Sequence, residues 1–288
     1  MRKLYERVKG EFIYGGYLSS LSAPAILLTL SFVLKLPIDI LSLIVIFSGV
    51  HAAYLLNRYH ELEVDILTNP KRSKHLKKQR AKLPWKICLF TIFPLLIILI
   101  KHKVTFLVAG VLIFTLGAMY SLFFKGLSKK IPLFKNFYAA FLWTLLIPLF
   151  LLWKENVPCS VYSVVLFSLF VFFQLFIDTS ACDIKDFRSD KKSGLKTLPT
   201  MFGIKRAILI LKILSIISVF VLLCGFLLQY LSFSVIPLGV FVVLYDLYYL
   251  GRCWKNPEDE VIYSILIDGG YIFWPLVTFL ITFPYLCV

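Results

Sequence analysis

The sequence has few charged residues: 16% of its 288 residues are Asp, Glu, Lys or Arg, against about 25% in soluble domains. It is 59% hydrophobic, and its mean hydropathy is +0.85. So few charges cannot cover a water-exposed surface, which excludes an ordinary soluble domain and indicates an integral membrane protein.

Two further patterns are missing. The six cysteines form no CxxC pair and no metal-ligand spacing, so they indicate packing rather than a thiol-bound metal. The basic N-terminus, MRKLYERVKGEF, is followed by no small-residue cleavage site, which argues against a removable signal peptide. We therefore expect the first apolar segment to remain as a permanent helix.

Long apolar segments are the main feature that is present. A helix needs about 20 apolar residues to cross a bilayer. The sequence predicts an all-α polytopic membrane protein with a single transmembrane domain over residues 1–288, with nine spans and with eight as the alternative. The nine lie at 17–35, 39–58, 86–100, 104–124, 136–153, 159–181, 207–230, 232–250 and 261–283.

The positive charge is concentrated in a few places. The net charge is +15, and most bases fall in the N-terminal arm and four loops, which nine spans would place on one side. The positive-inside rule then predicts a cytoplasmic N-terminus and cytoplasmic loops. Membrane topology and contact with anionic membrane lipids explain this charge without a nucleic-acid partner. With no organelle-targeting segment evident, the cytoplasmic membrane of a prokaryote is the expected location.

Two acidic stretches close two of the apolar segments. In NRYHELEVD, a helix would carry three oxygen-bearing side chains on one face: Asn57, Glu61 and Asp65. In DIKDFRSD, helical spacing again predicts one shared face, formed by Asp183, Asp186 and Asp190. The stretches follow the second and sixth segments, which suggests two related four-helix halves plus one further helix.

Carboxylates gathered in this way repel one another unless a cation lies between them. Mg²⁺ prefers hard oxygen ligands and often takes the remaining ligands from phosphates and water. The stretches therefore predict Mg²⁺ and a diphosphate substrate, although acids and bases at a membrane surface can also form a plain solvated rim. Several neighbouring side chains could contact the diphosphate or line its site: Arg58, Tyr120, Lys125, Lys129 and Lys191.

At these residues the sequence resembles the UbiA superfamily of intramembrane prenyltransferases. NRYHELEVD resembles the Asn-Arg-x-x-Asp-x-x-x-Asp motif of the 4-hydroxybenzoate type, and DILTNPKR resembles the Asn-Pro-basic segment that follows it. The stretch DFRSDKKSGLKTLPTMFGIKRA is similar to the second motif of the quinone and geranylgeranylglyceryl phosphate branches. The YS at 120–121, with bases after it, resembles the third motif.

The resemblance implies a reaction and a role for each matching residue. The reaction is Mg²⁺-dependent transfer of a prenyl group from an allylic diphosphate to a hydrophobic or aromatic acceptor, in quinone or lipid biosynthesis. It implies that one Mg²⁺ is held by Asn57, Glu61 and Asp65, and the other by Asp186 and Asp190, with Asp183 close by. Arg58 and Lys125 would contact the diphosphate, and Tyr120 would line the site.

Two differences from the family pattern stand out. Glu61 occupies a position where the family has Asp. Lys125 follows Tyr120 at a spacing one residue longer than in the family, and Lys129 could substitute for Lys125. A non-catalytic relative is therefore an alternative. A transporter is another, because some acids lie deep in spans: Asp178, Asp246 and Asp268. Of these, Asp178 could line an acceptor pocket, and Asp246 could pair with Arg252.

Overall fold

The computed structural model describes residues 2–62, 69–122, 124–155, 157–259 and 262–286. At residues 2–7, 61, 121–122, 125 and 282–286 it describes the backbone only. Apolar runs leave the backbone N–H and C=O groups without water partners in a bilayer, so these groups must bond within helices. The described residues accordingly form helices and short connections, which confirms the all-α prediction.

Fifteen α-helices follow one another along the described chain. They are α1 Arg2–Tyr14, α2 Tyr17–Val33, α3 Ile40–Glu61, α4 Pro70–Lys78, α5 Leu83–Ile100, α6 Val104–Leu122, α7 Leu127–Lys130, α8 Phe134–Thr144, α9 Leu146–Lys154, α10 Val161–Lys185, α11 Phe187–Ser193, α12 Leu198–Phe202, α13 Ile204–Leu227, α14 Val235–Lys255 and α15 Asp268–Leu286. A π-helical segment, Ile262–Ile267, leads into α15.

Seven described segments are long and apolar enough to cross a membrane: Ile40–His60, Arg80–Ile100, Phe134–Lys154, Val161–Lys185, Ile204–Leu227, Val235–Lys255 and Ile262–Ile281. An eighth is the pair Val8–Tyr14 and Tyr17–Val33, if its 63° bend is counted within one span. The apolar helix Val104–Tyr120 is shorter, about 25 Å at 1.5 Å per residue. A multi-pass membrane protein is thus confirmed with seven to eight candidate spans among the described residues, and the ninth predicted span is not confirmed.

The long helices form a closed ring. Helices α2, α3, α5 and α6 pack in chain order, α6 meets α8 and α9, and α8 continues to α10, α13, α14 and α15. The ring closes where α15 packs along α2. The acidic stretches follow α3 and α10, which lie on different sides of the ring. The two stretches can therefore face one another across one end of the bundle.

The turn between α1 and α2 positions a residue of the first acidic stretch. Gly16 has φ +85°, and a Cβ there would lie 2.0 Å from the Tyr54 ring. Only glycine allows both the left-handed backbone and this close approach. The Tyr54 ring in turn holds the Arg58 guanidinium 5.2 Å from its centroid, a cation–π contact that places Arg58 at the end of α3.

Candidate functional site

The second acidic stretch lies where α10 gives way to α11. Asp183 belongs to α10, Asp190 belongs to α11, and Asp186 lies between the two helices with φ −87° and ψ 3°. The prediction of one shared helical face is therefore wrong, because the continuous helix on which it depended is interrupted at Asp186. The three carboxylates point from two helices and the junction between them.

Asp183 is held by the first turn of α8. The side chain is fully buried; Lys135 Nζ donates to Oδ1 at 2.6 Å, and Asn136 Nδ2 donates to Oδ2 at 2.7 Å. Asn136 is also fully buried. Both carboxylate oxygens thus have protein donors. The predicted contact between Asp183 and substrate stays a prediction. The sequence reasoning missed both partners, although a polar Asn at the start of an apolar segment was an available signal.

Asp186 and Asp190 each keep an oxygen without a donor. Asp186 Oδ1 and Asp190 Oδ2 are buried and accept no hydrogen bond from any residue that the structure describes. Burial raises the pKa of Asp186, with the Lys185 ammonium acting against the shift. Burial likewise raises the pKa of Asp190 to about 6, opposed by Lys135. Buried oxygens without donors are costly, and a divalent cation with a preference for carboxylate oxygen would satisfy them.

The loop after α6 is tied to the same stretch. The Tyr120 hydroxyl lies 3.1 Å from Ser128 Oγ, and its ring stacks on Tyr138. The Lys196 N–H donates to the Ser128 carbonyl at 3.0 Å, and the Leu133 N–H donates to the Lys196 carbonyl at 2.8 Å. These bonds bring the third motif beside the second, as the predicted site requires.

Two predicted substrate-binding lysines lie further out. Lys129 is exposed on α7. Lys191 is exposed on α11, and its Nζ lies 5.8 Å from the Phe187 ring centroid. On a helix, neighbouring residues point about 100° apart, so Lys191 faces outward while Asp190 faces inward. The side chain of Lys125 lies outside the described residues, so its predicted contact is not tested.

The first acidic stretch is described only in part. Asn57 and Arg58 are half-buried in the last turns of α3, and both make further polar or ring contacts. The side chain of Glu61 and all of Asp65 lie outside the described residues. Within the described ranges, no three His, Cys, Asp or Glu side chains form a group that could hold a metal ion.

Basic side chains link the two stretches. Lys185 Nζ donates to Asn69 Oδ1, which joins the end of α10 to the start of α4. The Lys185 ammonium also lies 5.6 Å from the Tyr263 ring centroid. The charge of Arg72, on α4, acts on Asp186. Asn69 belongs to the Asn-Pro-basic segment, so this segment reaches the second acidic stretch.

The deep acids each accept a hydrogen bond from a hydroxyl group. Tyr249 donates to Asp178 Oδ1 at 2.6 Å, Ser215 donates to Asp246 Oδ2 at 2.5 Å, and Ser19 donates to Asp268 Oδ2. The suggestion that Asp246 pairs with Arg252 is wrong.

Arg252 Nη2 instead lies 3.8 Å from Asp259 Oδ2. Asp246 sits on the buried side of α14, where Ser215 of α13 reaches it and Arg252, one and a half turns further along, does not. Asp268, whose partner was not predicted, joins α15 to α2, and the charges of Arg72, Arg58 and Lys185 also act on it.

Comparison with known proteins identifies the family. The model of the UbiA prenyltransferase family matches residues 18–282. A search of curated protein sequences finds no significant match. Among solved structures, a UbiA homolog from Aeropyrum pernix K1 in its apo form has a TM-score of 0.65 at 14% identity, covering 94% of this chain and 98% of that chain.

Two further solved structures show the same fold. A UbiA homolog from Archaeoglobus fulgidus bound to DMAPP and Mg²⁺ has a TM-score of 0.62 at 17% identity, covering 93% of this chain and 98% of that chain. A structure concerned with digeranylgeranylglyceryl phosphate synthase in membranes has a TM-score of 0.55 at 18% identity, covering 97% and 98%. Because the family model covers most of its length, the chain belongs to the UbiA prenyltransferase family.

Proposed function

We propose that this protein transfers a prenyl group from an allylic prenyl diphosphate to a lipid or aromatic acceptor, with release of pyrophosphate. The bond between C1 of the prenyl chain and the diphosphate oxygen breaks, a nucleophilic carbon or oxygen of the acceptor forms the new bond to C1, and that acceptor atom loses its proton. The UbiA homolog from Archaeoglobus fulgidus has been solved with DMAPP and Mg²⁺ and with GPP and Mg²⁺, which supports this donor class.

One observation carries the proposal: Asp186 and Asp190 present buried oxygens that have no donor among the described residues. They lie next to a loop and a helix that supply bases, including Arg72 and Lys185. Acids that are open for a cation, with bases beside them, are what the binding of a metal diphosphate requires.

The residues present fit Mg²⁺. Asp186 and Asp190 would hold one ion, and the first stretch would contribute Asn57, Glu61 and Asp65. When bound, Mg²⁺ would neutralise part of the diphosphate charge and make it a better leaving group. Asp183 takes a different part, because Lys135 and Asn136 occupy both of its oxygens.

The other side chains bind, orient and exclude water. Arg58, held over the Tyr54 ring, and Arg72 would bind diphosphate oxygens. Tyr120 would line the donor site. Asp178, only partly buried beside Tyr249, is two turns below Asp186 and would line the acceptor pocket. A site enclosed by helices keeps water from capturing the prenyl cation.

The topology proposed for the chain has nine spans, with the N-terminus and the site in the cytoplasm. The eight candidate spans that include the bent pair, together with the shorter helix Val104–Tyr120, make this number. Basic loops on one side favour this orientation, and the closed helix ring favours a single domain. We place the protein in the cytoplasmic membrane of a prokaryote.

A transporter role is less well supported. Its proposed cation path ran through Asp178, Asp246 and Asp268, and each of these acids already accepts a hydrogen bond from a hydroxyl group. The acids with open oxygens lie instead at the junction of α10 and α11. This placement favours a diphosphate site at one end of the bundle.

Purified protein in lipid nanodiscs, geranylgeranyl diphosphate and Mg²⁺ provide the test. We expect donor binding, and pyrophosphate release once a suitable acceptor from a panel of lipid and aromatic compounds is added. EDTA and the Asp186→Ala substitution should abolish binding. The matched control is Glu258→Gln, which changes an exposed acid 3.7 Å from Arg188. Absence of binding for every prenyl chain length tried would contradict the proposal.

A further inference from the structure

A lysine is built into the second acidic stretch. Lys135 Nζ lies 2.6 Å from Asp183 Oδ1, and the Asp183 side chain is 1% exposed. The charge of Lys135 also acts on Asp186 and Asp190. We call these four residues the lysine–aspartate cluster. A lysine ammonium group is thus bonded to one carboxylate of the cluster and lies near enough to the other two for its charge to act on them.

We propose that Lys135 serves as a built-in cation in place of a second divalent ion at this stretch, which leaves one metal site formed by Asp186 and Asp190. The inference rests on the proposed function, because it concerns how the diphosphate site is loaded with metal. Lys135 acts as a positioning residue: it holds Asp183 and contributes charge, and no contact with substrate is assigned to it.

The hydrogen bonds of Asp183 show why it is withdrawn from metal binding. Its two oxygens accept from Lys135 Nζ at 2.6 Å and Asn136 Nδ2 at 2.7 Å. A divalent ion on the same oxygens would lie close to the ammonium group, and like charges at such distances repel strongly. Asp183 is thus already neutralised by the protein.

The other two acids differ in this respect. Asp186 Oδ1 and Asp190 Oδ2 accept no hydrogen bond from the described part of the chain, and both atoms are buried. Asp190 is 6% exposed, so water does little to compensate its missing donor. Mg²⁺ commonly uses one or two carboxylates and takes its other ligands from phosphate and water. Two open carboxylates suit one ion.

The position of Lys135 suits this role. Its side chain is 34% exposed, and it enters from the first turn of α8. From there its charge reaches all three acids. The neutral Asn136 amide bonds only Asp183 Oδ2, so Lys135 is the partner that supplies positive charge as well as a donor, to Oδ1.

The test counts metal ions in the intact protein. Equilibrium dialysis against Mn²⁺, with and without the non-cleavable analogue geranyl thiodiphosphate, gives the ions bound per chain. The variants are Lys135→Met, Lys135→Arg and Asp183→Asn, together with the double variant that carries Lys135→Met and Asp183→Asn. Lys130→Met, an exposed lysine on α7, is the matched control.

The proposal predicts one additional ion for Lys135→Met, because Asp183 then becomes available as a ligand. The double variant should bind the same number of ions per chain as wild type. The variants Lys135→Arg, Lys130→Met and Asp183→Asn should also bind the wild-type number of ions. Equal ion numbers in wild type and Lys135→Met would overturn the proposal, as would the loss of an ion in Asp183→Asn. If Lys135 had a structural role alone, Lys135→Met would lower stability without changing the number of bound ions.

Two measurements keep failures apart. Thermal unfolding in EDTA and in Mn²⁺ shows whether Lys135→Met is folded; we expect its melting temperature to fall in EDTA and to recover in Mn²⁺. If this variant does not fold, Asp183→Asn in the wild-type background still decides whether Asp183 is a ligand. If wild type binds neither Mn²⁺ nor the analogue, the proposed function fails, and this inference fails with it.

Discussion

Removal of the Asn136 side chain should destabilise the protein by about 2–3 kcal/mol. Asn136 is fully buried and donates to Asp183 Oδ2 at 2.7 Å. A hydrogen bond to a charged group contributes about 1.5–3 kcal/mol, and with no water access nothing replaces it in Asn136→Ala. At about 2–4 °C per kcal/mol, the melting temperature should fall by about 5–10 °C.

Thermal unfolding of purified protein in detergent, followed by intrinsic fluorescence, measures this effect. The matched control is Thr144→Ala on the same helix, where the hydroxyl only bonds the Ala140 carbonyl of the preceding turn. In an Asp183→Asn background the cost of Asn136→Ala should drop to about 1 kcal/mol, because the bond is then neutral. Equal melting temperatures for Asn136→Ala and Thr144→Ala would refute the reasoning.

Four further predictions concern the site and its support. In EDTA at pH 7, Asp190→Asn should stabilise the fold by up to about 3 kcal/mol in thermal unfolding, because the raised pKa of about 6 marks a charge that is costly to bury. A loss of stability in this variant would contradict that reasoning. The same substitution should abolish Mg²⁺-dependent donor binding. Mg²⁺-dependent donor binding should be full above pH 7 and weaken as pH falls below about 6, since protonated Asp190 cannot bind the ion; a flat titration profile would exclude this. Tyr249→Phe, which removes the donor to Asp178, should leave donor affinity unchanged and raise the KM for the acceptor several-fold in steady-state assays. Gly16→Ala, with its Cβ 2.0 Å from the Tyr54 ring, should lower stability by about 1–3 kcal/mol and weaken donor binding through Arg58, whereas Gly126→Ala, with open space around it, should not.

Hydropathy and motif spacing were enough to predict the helical class and the family. Apolar runs must form helices in a bilayer, and most of the predicted segments coincide with helices of the structure. The number of spans was less certain because the first helix pair bends at Gly16 and because the apolar helix Val104–Tyr120 is short. Local hydropathy does not report a bend or a marginal length.

The site was predictable only as far as contacts are local in sequence. Spacing predicted a role for Asp186 and Asp190, whose open oxygens support that prediction, but it treated the stretch as one helix and so grouped Asp183 with them. The partners of Asp183 are Lys135 and Asn136, which lie 48 and 47 residues away. Such a pairing depends on how α8 packs against α10, and a spacing rule along one helix carries no information about it.

The central claim is that Asp186 and Asp190 bind a metal diphosphate, and calorimetric titration with geranyl thiodiphosphate tests it most directly. Wild type and Glu258→Gln should bind the analogue in Mg²⁺ and release it in EDTA. Asp186→Asn should show no metal-dependent binding, although thermal unfolding should show that this variant is folded. Binding by folded Asp186→Asn with wild-type affinity and wild-type Mg²⁺ dependence would contradict the account.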